Sequence, residues 1–559
     1  MTIISLSYFA LLVISLIFYY ILPKKSQWFI LLVVSLLFFC FVGTPWTIVY
    51  LLASVIVTWL SSNKIRTLQN LITEENESSI KKKMKFWLIF ALVINILLLA
   101  LLKYLNFVLS NVSLIYNIFS PKNIHLSVNW LSALGISFYT LQIIGYLLDS
   151  YWGISKPQEN IAKFALFSCF FPQMVSGPIS RYNQLGDQLY SEHKFKFENL
   201  MQGATRISVG LFKKVVLAEG AALLTSYFLG PNAEFSGIFA LLGVLTYVLQ
   251  LYADFSGCMD IVIGSAKMFD IEMVENFKNP FTSRSIQEFW QKWHITLGAW
   301  LKDYIMYPIL RTKTWNKMSK SLKTKYGKRA AKLVPTHIAM LILWIFMGLW
   351  HGGGWNFILE GVWFWFVIVI GEWCSPLTKK LTSKIDTEDY FWILFQRVRT
   401  LMIFAIGILM FRSSTISIFL HEVLSIMSTA GTYFAIIGFL LLCIFGYFIN
   451  RQFKNGKFII LVDKSLVIMA CMIPIALVLY NFKLSSMEKF GNIVIVLISF
   501  VIFLLLSHFD YKNNGLYNRT KTRPIMYRIL IICLFIYLTI LLGYFGEGYN
   551  PADFIYGGF

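Results

Sequence analysis

Charge is scarce in this chain. Only 14 % of its 559 residues are Asp, Glu, Lys or Arg, against roughly 25 % in an ordinary soluble domain. Acids are scarcer than bases, 28 against 49, for a net charge of +21. Paired cysteines are missing: Cys40, Cys169, Cys258, Cys374, Cys443, Cys471 and Cys533 stand singly, with no CxxC, so neither a zinc site nor a disulfide framework is indicated. A G-x-S-x-G elbow, an HExxH pair and a P-loop ending in GK[ST] are all absent, which leaves a serine hydrolase, a zinc protease and an ATP-driven pump unsupported. No repeat of fixed period and no heptad pattern is visible, and no soluble domain separates itself.

What is present is apolar. Hydrophobic types make up 57 % of the chain, more than a soluble surface hides and far more than a disordered chain carries. The reading is an all-α polytopic membrane protein. Runs near 3–22, 27–43, 45–61, 86–109, 131–149, 161–180, 207–229 and 234–253 approach the roughly 20 residues that cross about 30 Å of hydrocarbon. They resume near 336–350, 355–373, 391–411, 431–450, 457–480, 491–508 and 524–543. The first run has no basic leader and no small-residue cleavage pattern, so it reads as a retained span rather than a signal peptide. Positive charge sits between runs: Lys24 and Lys25 after the first, then Lys64, Arg66, Lys81, Lys82, Lys83 and Lys85 after the third. By the positive-inside rule these loops are cytoplasmic and the N-terminus lies outside. The basicity therefore belongs to a lipid bilayer, and no nucleic-acid partner is expected.

Residues 278–332 differ in kind, with thirteen Lys or Arg against Glu288 and Asp303 alone. Phe289, Trp293, Leu297 and Leu301 fall on one helical stripe, which predicts an amphipathic or partly inserted helix over 286–297. The stretch 311–332 reads as a solvated basic loop. Such a loop first suits anionic lipid, and secondly a polyanionic donor such as coenzyme A or an acidic carrier protein. In domain terms, 1–430 reads as a transmembrane core that includes this amphipathic basic interval (278–334). Residues 431–559 read as further transmembrane segments of the same domain.

Of seven histidines, His125, His193, His337, His421 and His508 occupy loops or span ends and suggest nothing. His294 and His351 each follow a tryptophan near a membrane segment. An ionisable group at depth is expensive and usually functional, and imidazole titrates near neutrality, which suits proton transfer. A histidine beside tryptophan also fits an interfacial aromatic belt. Asp149 reads as a span end, and Asp254 and Asp260 as partners of the basic interval or helix caps. Pro172-Gln173-Met174-Val175-Ser176-Gly177-Pro178 breaks its apolar run, which is tolerated at membrane depth only inside protein or beside a cavity.

The ordered set of motifs resembles the membrane-bound O-acyltransferases, specifically the bacterial branch of alginate O-acetylation and teichoic-acid D-alanylation membrane proteins. The resemblance begins at Gly135–Gln142 and runs through Phe171-Pro172-Gln173, Ser176–Ile179, Asp254-Phe255-Ser256-Gly257 and Glu275-Asn276-Phe277. It continues through Glu288–Leu297 and Trp300–Tyr304, and peaks at Gly348-Leu349-Trp350-His351-Gly352. Met410–Ser413 and the ending Asp553–Phe559 look like the same branch. Each piece is short, but their order covers nearly the whole chain. Lys302 stands where the family usually shows Arg, the Gly-Gly-Gly after His351 departs from Gly-Ala-x, and 457–490 does not align.

The resemblance implies a ring of helices around a thin centre where funnels from both faces meet. It implies His351 as the catalytic histidine, activating the acceptor hydroxyl or relaying the acyl group, and His294 as a second catalytic residue that orients the donor or carries the proton. Trp293, Lys302, Asp303, Tyr304, Trp350 and Gly352 become candidate substrate-binding residues. Near tryptophan and glycine a narrow, dry passage favours neutral imidazole. No metal and no tightly bound cofactor is implied. The donor would be a cytoplasmic thioester, acetyl-CoA or an acyl carrier protein. The acceptor would be an extracytoplasmic glycan or other envelope polymer, reached with an exported esterase-like partner at the bacterial cytoplasmic membrane. D-alanyl transfer to teichoic acid and lipid or protein acylation are alternatives. A polysaccharide flippase would want mid-span charges and a repeat.

Overall fold

The computed structural model describes residues 3–42, 44–120, 123–128, 134–229, 235–452 and 523–543, and among these all regular structure is helical. Nine helices there are long and apolar enough to cross a membrane. The first half comprises α1 (Leu6–Ile21), α2 (Gln27–Val42), α3 (Ile48–Gln69), α4 (Glu77–Phe119), α5 (Ile136–Tyr151), α6 (Ile161–Cys169), α7 (Tyr182–Tyr190), α8 (Phe197–Leu211), α9 (Glu219–Leu229) and α10 (Ile238–Met268). The second half comprises α11 (Ile286–Lys292), α12 (Ile295–Leu301), α13 (Tyr307–Leu310), α14 (Lys313–His351), α15 (Trp355–Leu381), α16 (Tyr390–Arg412), α17 (Ile416–Met427), α18 (Ala430–Gln452) and α19 (Ile525–Leu542). The expected spans at 457–480 and 491–508, the unaligned stretch 457–490 and the ending Asp553–Phe559 lie outside the described residues.

Starts are written locally. Ser285, Asp389 and Thr415 each turn a side-chain oxygen onto backbone N–H groups of the first turn of α11, α16 and α17, supplying acceptors that the helix itself lacks. α1 has 16 residues, somewhat shorter than the roughly 20 of an ordinary crossing. α4 has 43 residues, about 65 Å at 1.5 Å per residue. Lys81–Lys83 are exposed within its first two turns. Nearly every side chain of α5 is buried, so this helix is wrapped by protein rather than by lipid. The run 161–180 is helical only to Cys169, after which the Pro-bounded segment passes through the interior. There Ser35 Oγ accepts from Phe171 N at 3.1 Å and Thr296 Oγ1 from Ile179 N at 3.1 Å.

Two expectations need correction. The basic stretch 311–332 is solvent-exposed but is not a loop. Residues from Lys313 onward form a helix that reverses at Gly327, whose φ of 83° is open to glycine and costly for other residues. The reversal lays the basic arm along the start of the membrane helix. Trp315 Nε1 donates to Pro335 O at 3.0 Å and Ser319 Oγ to Ala331 O at 2.8 Å. The second bond has a clear cause: Pro335 has no N–H to give the carbonyl four residues back, and Ser319 supplies the donor instead. The sequence between Lys313 and Tyr326 holds neither Pro nor Gly, and lysine is a good helix former, so high charge is the misleading signal.

Asp254 and Asp260 are the second case. They pair with neither the 278–332 interval nor a helix end but with the α8–α9 region, Asp254 with Lys214 at 2.5 Å and Asp260 with Arg206 at 3.0 Å and Lys213 at 2.7 Å.

Candidate active site

The predicted 286–297 helix is two helices with a break between them. α11 ends at Lys292 and α12 begins at Ile295, while Phe277 and Trp293 form an isolated antiparallel bridge. Lys278 N donates to Lys292 O and Ile295 N to Asn276 O, both at 3.0 Å. The stripe survives the break: Phe289, Trp293, Leu297 and Leu301 are all at most 2 % exposed. His294 takes a left-handed conformation, φ 47° and ψ 51°, which aims its ring inward. Asn276 fixes the turn. Its Oδ1 accepts from Thr296 N at 3.1 Å and Thr296 Oγ1 at 2.9 Å, and lies 3.3 Å from His294 Nδ1.

His351 is the last residue of α14, and its ring is buried. Helix ends leave carbonyls without donors, and α4 supplies them here. Tyr104 OH donates to Leu349 O at 2.7 Å, and Lys103 Nζ donates to Trp350 O and, at 2.9 Å, to Ser137 Oγ. Trp350 Nε1 donates to Ser137 O at 3.2 Å. The chain then turns through Gly352–Gly354 into α15, and the two helices touch backbone to backbone. A Cβ on Gly348 would lie 2.3 Å from Phe357 O.

The two imidazoles converge on one indole. Trp350 lies 5.4 Å from the His294 ring and 5.2 Å from the His351 ring, both edge-on. Phe255 closes the far side of His294 at 4.8 Å, and Phe411 that of His351 at 5.5 Å. Aromatic walls of this kind exclude water from the two rings.

The other candidates are distributed. Trp293 is 1 % exposed among Phe277, Phe289 and Phe404, where it packs the support beneath His294. Trp350 and Gly352 sit at the histidines themselves. Lys302, Asp303 and Tyr304 follow α12, which puts them about 12–15 Å along the chain axis from His294. There Arg181 pairs with Asp303 and donates to Tyr304 OH at 3.1 Å, Tyr304 OH donates to Asp149 Oδ2 at 2.8 Å, and Trp152 stacks on the Tyr304 ring at 5.8 Å. Asp149 is thus part of a buried network rather than a bare span end. Sequence reasoning missed Lys103, Tyr104, Ser137 and Thr296. The signal for Lys103 is a lone lysine inside the apolar run 86–109. Among the described residues no group of three or more His, Cys, Asp or Glu is placed to hold a metal.

Residues 155–415, which hold both histidines and Arg181, Asp303 and Tyr304, match the membrane-bound O-acyltransferase family. The chain is 31 % identical over 332 residues to a probable alginate O-acetylase of Pseudomonas syringae pv. tomato, covering 59 % of this chain and 58 % of that one. It is 31 % identical over 322 residues to a peptidoglycan O-acetyltransferase of Helicobacter pylori, covering 53 % and 57 %. It is 30 % identical over 265 residues to a teichoic acid D-alanyltransferase of Streptococcus thermophilus, covering 46 % and 60 %. The chain thus spans little more than half the length of these relatives. Multiple membrane-length helices, the ordered motifs and the matched region agree: across residues 155–415 this chain is similar to the membrane-bound O-acyltransferase family.

Proposed function

We propose that the protein is a membrane-embedded O-acyltransferase that moves an acetyl-type group from a cytoplasmic thioester, acetyl-CoA, toward an extracytoplasmic envelope polysaccharide. The observation that carries this reading is the pair of buried imidazoles on the Trp350 indole, His351 at the end of a membrane-length helix and His294 in the break between two short ones. The acceptor hydroxyl gives its proton to His351 as its oxygen bonds to the thioester carbonyl carbon. The C–S bond then breaks and the departing thiolate takes up the proton. His294 orients the donor or hands on that proton. A thioester already favours transfer to oxygen, so the site mainly aligns the two reactants and supplies a base. The exposed basic arm of α14 would draw the polyanionic donor to the cytoplasmic face. The N-terminus would then lie outside the cytoplasmic membrane, and an exported esterase-like protein would complete the transfer to polymer.

D-alanyl transfer from a carrier protein is the second reading, favoured by the teichoic acid D-alanyltransferase relatives of Streptococcus thermophilus and Bacillus subtilis. Membranes containing the protein are offered labelled acetyl-CoA or a labelled D-alanyl carrier, and label in envelope polymer is counted. Acetyl labelling that falls by about 10²-fold or more in His351→Ala supports the proposal. Labelling that survives in both His351→Ala and His294→Ala overturns the roles given to them.

A further inference from the structure

One ammonium within an apolar helix has a place in the site but no role in the chemistry above. Lys103 stands on α4, a helix of membrane-spanning length, where a charged side chain is expensive and usually serves a function. Its Nζ donates to two neutral oxygens, Trp350 O of α14 and, at 2.9 Å, Ser137 Oγ of α5. Ser137 O in turn accepts from Trp350 Nε1 at 3.2 Å. The three residues close a cycle: lysine to the Trp350 backbone, Trp350 indole to the Ser137 backbone, Ser137 hydroxyl to the lysine. The ammonium also lies 5.7 Å from the centre of the Trp350 ring, within cation–π range. Phe138 packs edge-on against that ring at 5.3 Å.

The cycle reaches His351 by two routes. The carbonyl that Lys103 grips belongs to the peptide linking Trp350 to His351, and a peptide unit is planar. Holding its oxygen therefore fixes the plane that carries the Cα of His351, from which the imidazole projects. Inside a helix an N–H four residues on would do this, but α14 ends at His351, and the last carbonyls of a helix have no such donor. The second route is the indole, which touches both imidazoles and is held by Ser137 and Phe138. Tyr104, the next residue of α4, donates to Leu349 O at 2.7 Å; it caps the same helix end one peptide short of His351. Resting on the acyltransferase reading, we infer that Lys103 is a positioning residue, whose ammonium sets the His351 imidazole and the Trp350 indole for acyl transfer. It neither carries the reacting proton nor binds a substrate.

The test uses the full chain in detergent-opened membranes with labelled acetyl-CoA and whichever of alginate, peptidoglycan or teichoic acid the unaltered protein labels. Lys103→Met keeps an apolar stem and removes the donors, Lys103→Arg keeps donors, and Ser137→Ala opens the cycle at one bond. Tyr104→Phe is the comparison, since it strips a carbonyl of the same helix end of its donor and leaves the cycle intact. The expected result is a kcat lower by about tenfold or more in Lys103→Met, with both KM values within about twofold of wild type. Ser137→Ala should show a smaller fall in kcat, and Lys103→Arg should recover part of the loss. Tyr104→Phe should shorten the thermal half-life comparably to Lys103→Met yet keep kcat within about twofold of wild type. Equal kcat losses in Lys103→Met and Tyr104→Phe make the lysine a helix cap and nothing more, and a raised polymer KM makes it a binding residue for an anionic acceptor. Either result, or an unchanged kcat, overturns the inference and leaves the acyltransferase reading standing. Should Lys103→Met fail to fold, a kcat no lower in Ser137→Ala than in Tyr104→Phe overturns it equally. Absence of label on all three polymers with the unaltered protein overturns the acyltransferase reading, and the inference with it.

Discussion

Replacing His294 by glycine should leave a more stable protein than replacing it by alanine, the reverse of the usual order. Both substitutions delete the same ring and leave the same gap between Phe255 and Trp350, so the loss of packing cancels in the comparison. What remains is the backbone. At φ 47° and ψ 51° an L-residue with a Cβ is strained by about 1–2 kcal/mol, whereas glycine is not. Glycine loses more chain entropy on folding, about 0.5–1 kcal/mol. The net advantage of His294→Gly is therefore about 0.5–1 kcal/mol, or about a two- to fivefold difference in the ratio of folded to unfolded protein. An SDS titration of each variant in mixed micelles, followed by near-UV circular dichroism, reads that difference directly. If His294→Ala unfolds at the same or higher SDS than His294→Gly, the left-handed break at residue 294 is wrong, and with it the inward aim of the ring.

At Gly327 a Cβ meets nothing within 4 Å, so Gly327→Ala should cost only the backbone strain, about 1–3 kcal/mol, with acyl transfer retained. Gly348→Ala should be worse, because its Cβ would press on Phe357 O; a thermal half-life shorter than that of Gly327→Ala, together with loss of labelling, is the expected reading. Tyr304→Phe leaves the buried Asp149 without its 2.8 Å donor and should cost about 1–3 kcal/mol in the same titration. Outside the spans, burial raises the Asp270 carboxyl but hydrogen bonds from Lys196, Asn199 and His193 prevail and hold it below the usual carboxylate range. Its stabilisation is full above about pH 4 and is lost as pH falls through the lowered folded value. Stability measured from about pH 5 down to about pH 3 should fall less steeply in Asp270→Asn than in wild type.

The membrane class and most long helices are legible in the sequence because an apolar run of about 20 residues fits a membrane-crossing helix and little else. His294 and His351 are legible too, since each stands in a setting where an ionisable side chain is costly. Three features escape. The break at Trp293–His294 is invisible to periodicity because the stripe of Phe289, Trp293, Leu297 and Leu301 stays buried across it. What makes the break is a distant segment, Asn276 to Lys278, which no local pattern announces. The basic arm of α14 reads as a loop because exposure and charge resemble irregularity, whereas its fold-back depends on Ser319 meeting a carbonyl orphaned by Pro335. The partners of Asp254 and Asp260 are matters of which helices pack, and charge counts cannot rank Lys213, Lys214 and Arg206 above the richer 278–332 interval.

α11 and α12 have seven residues each, too few to persist as helices on their own in water. The ring of His294 therefore hangs between two struts that exist only while Asn276, Thr296 and the surrounding rings grip them. The placement of this ring is conditional on assembly: a half-inserted or misassembled chain carries the same histidine but no fixed geometry around it.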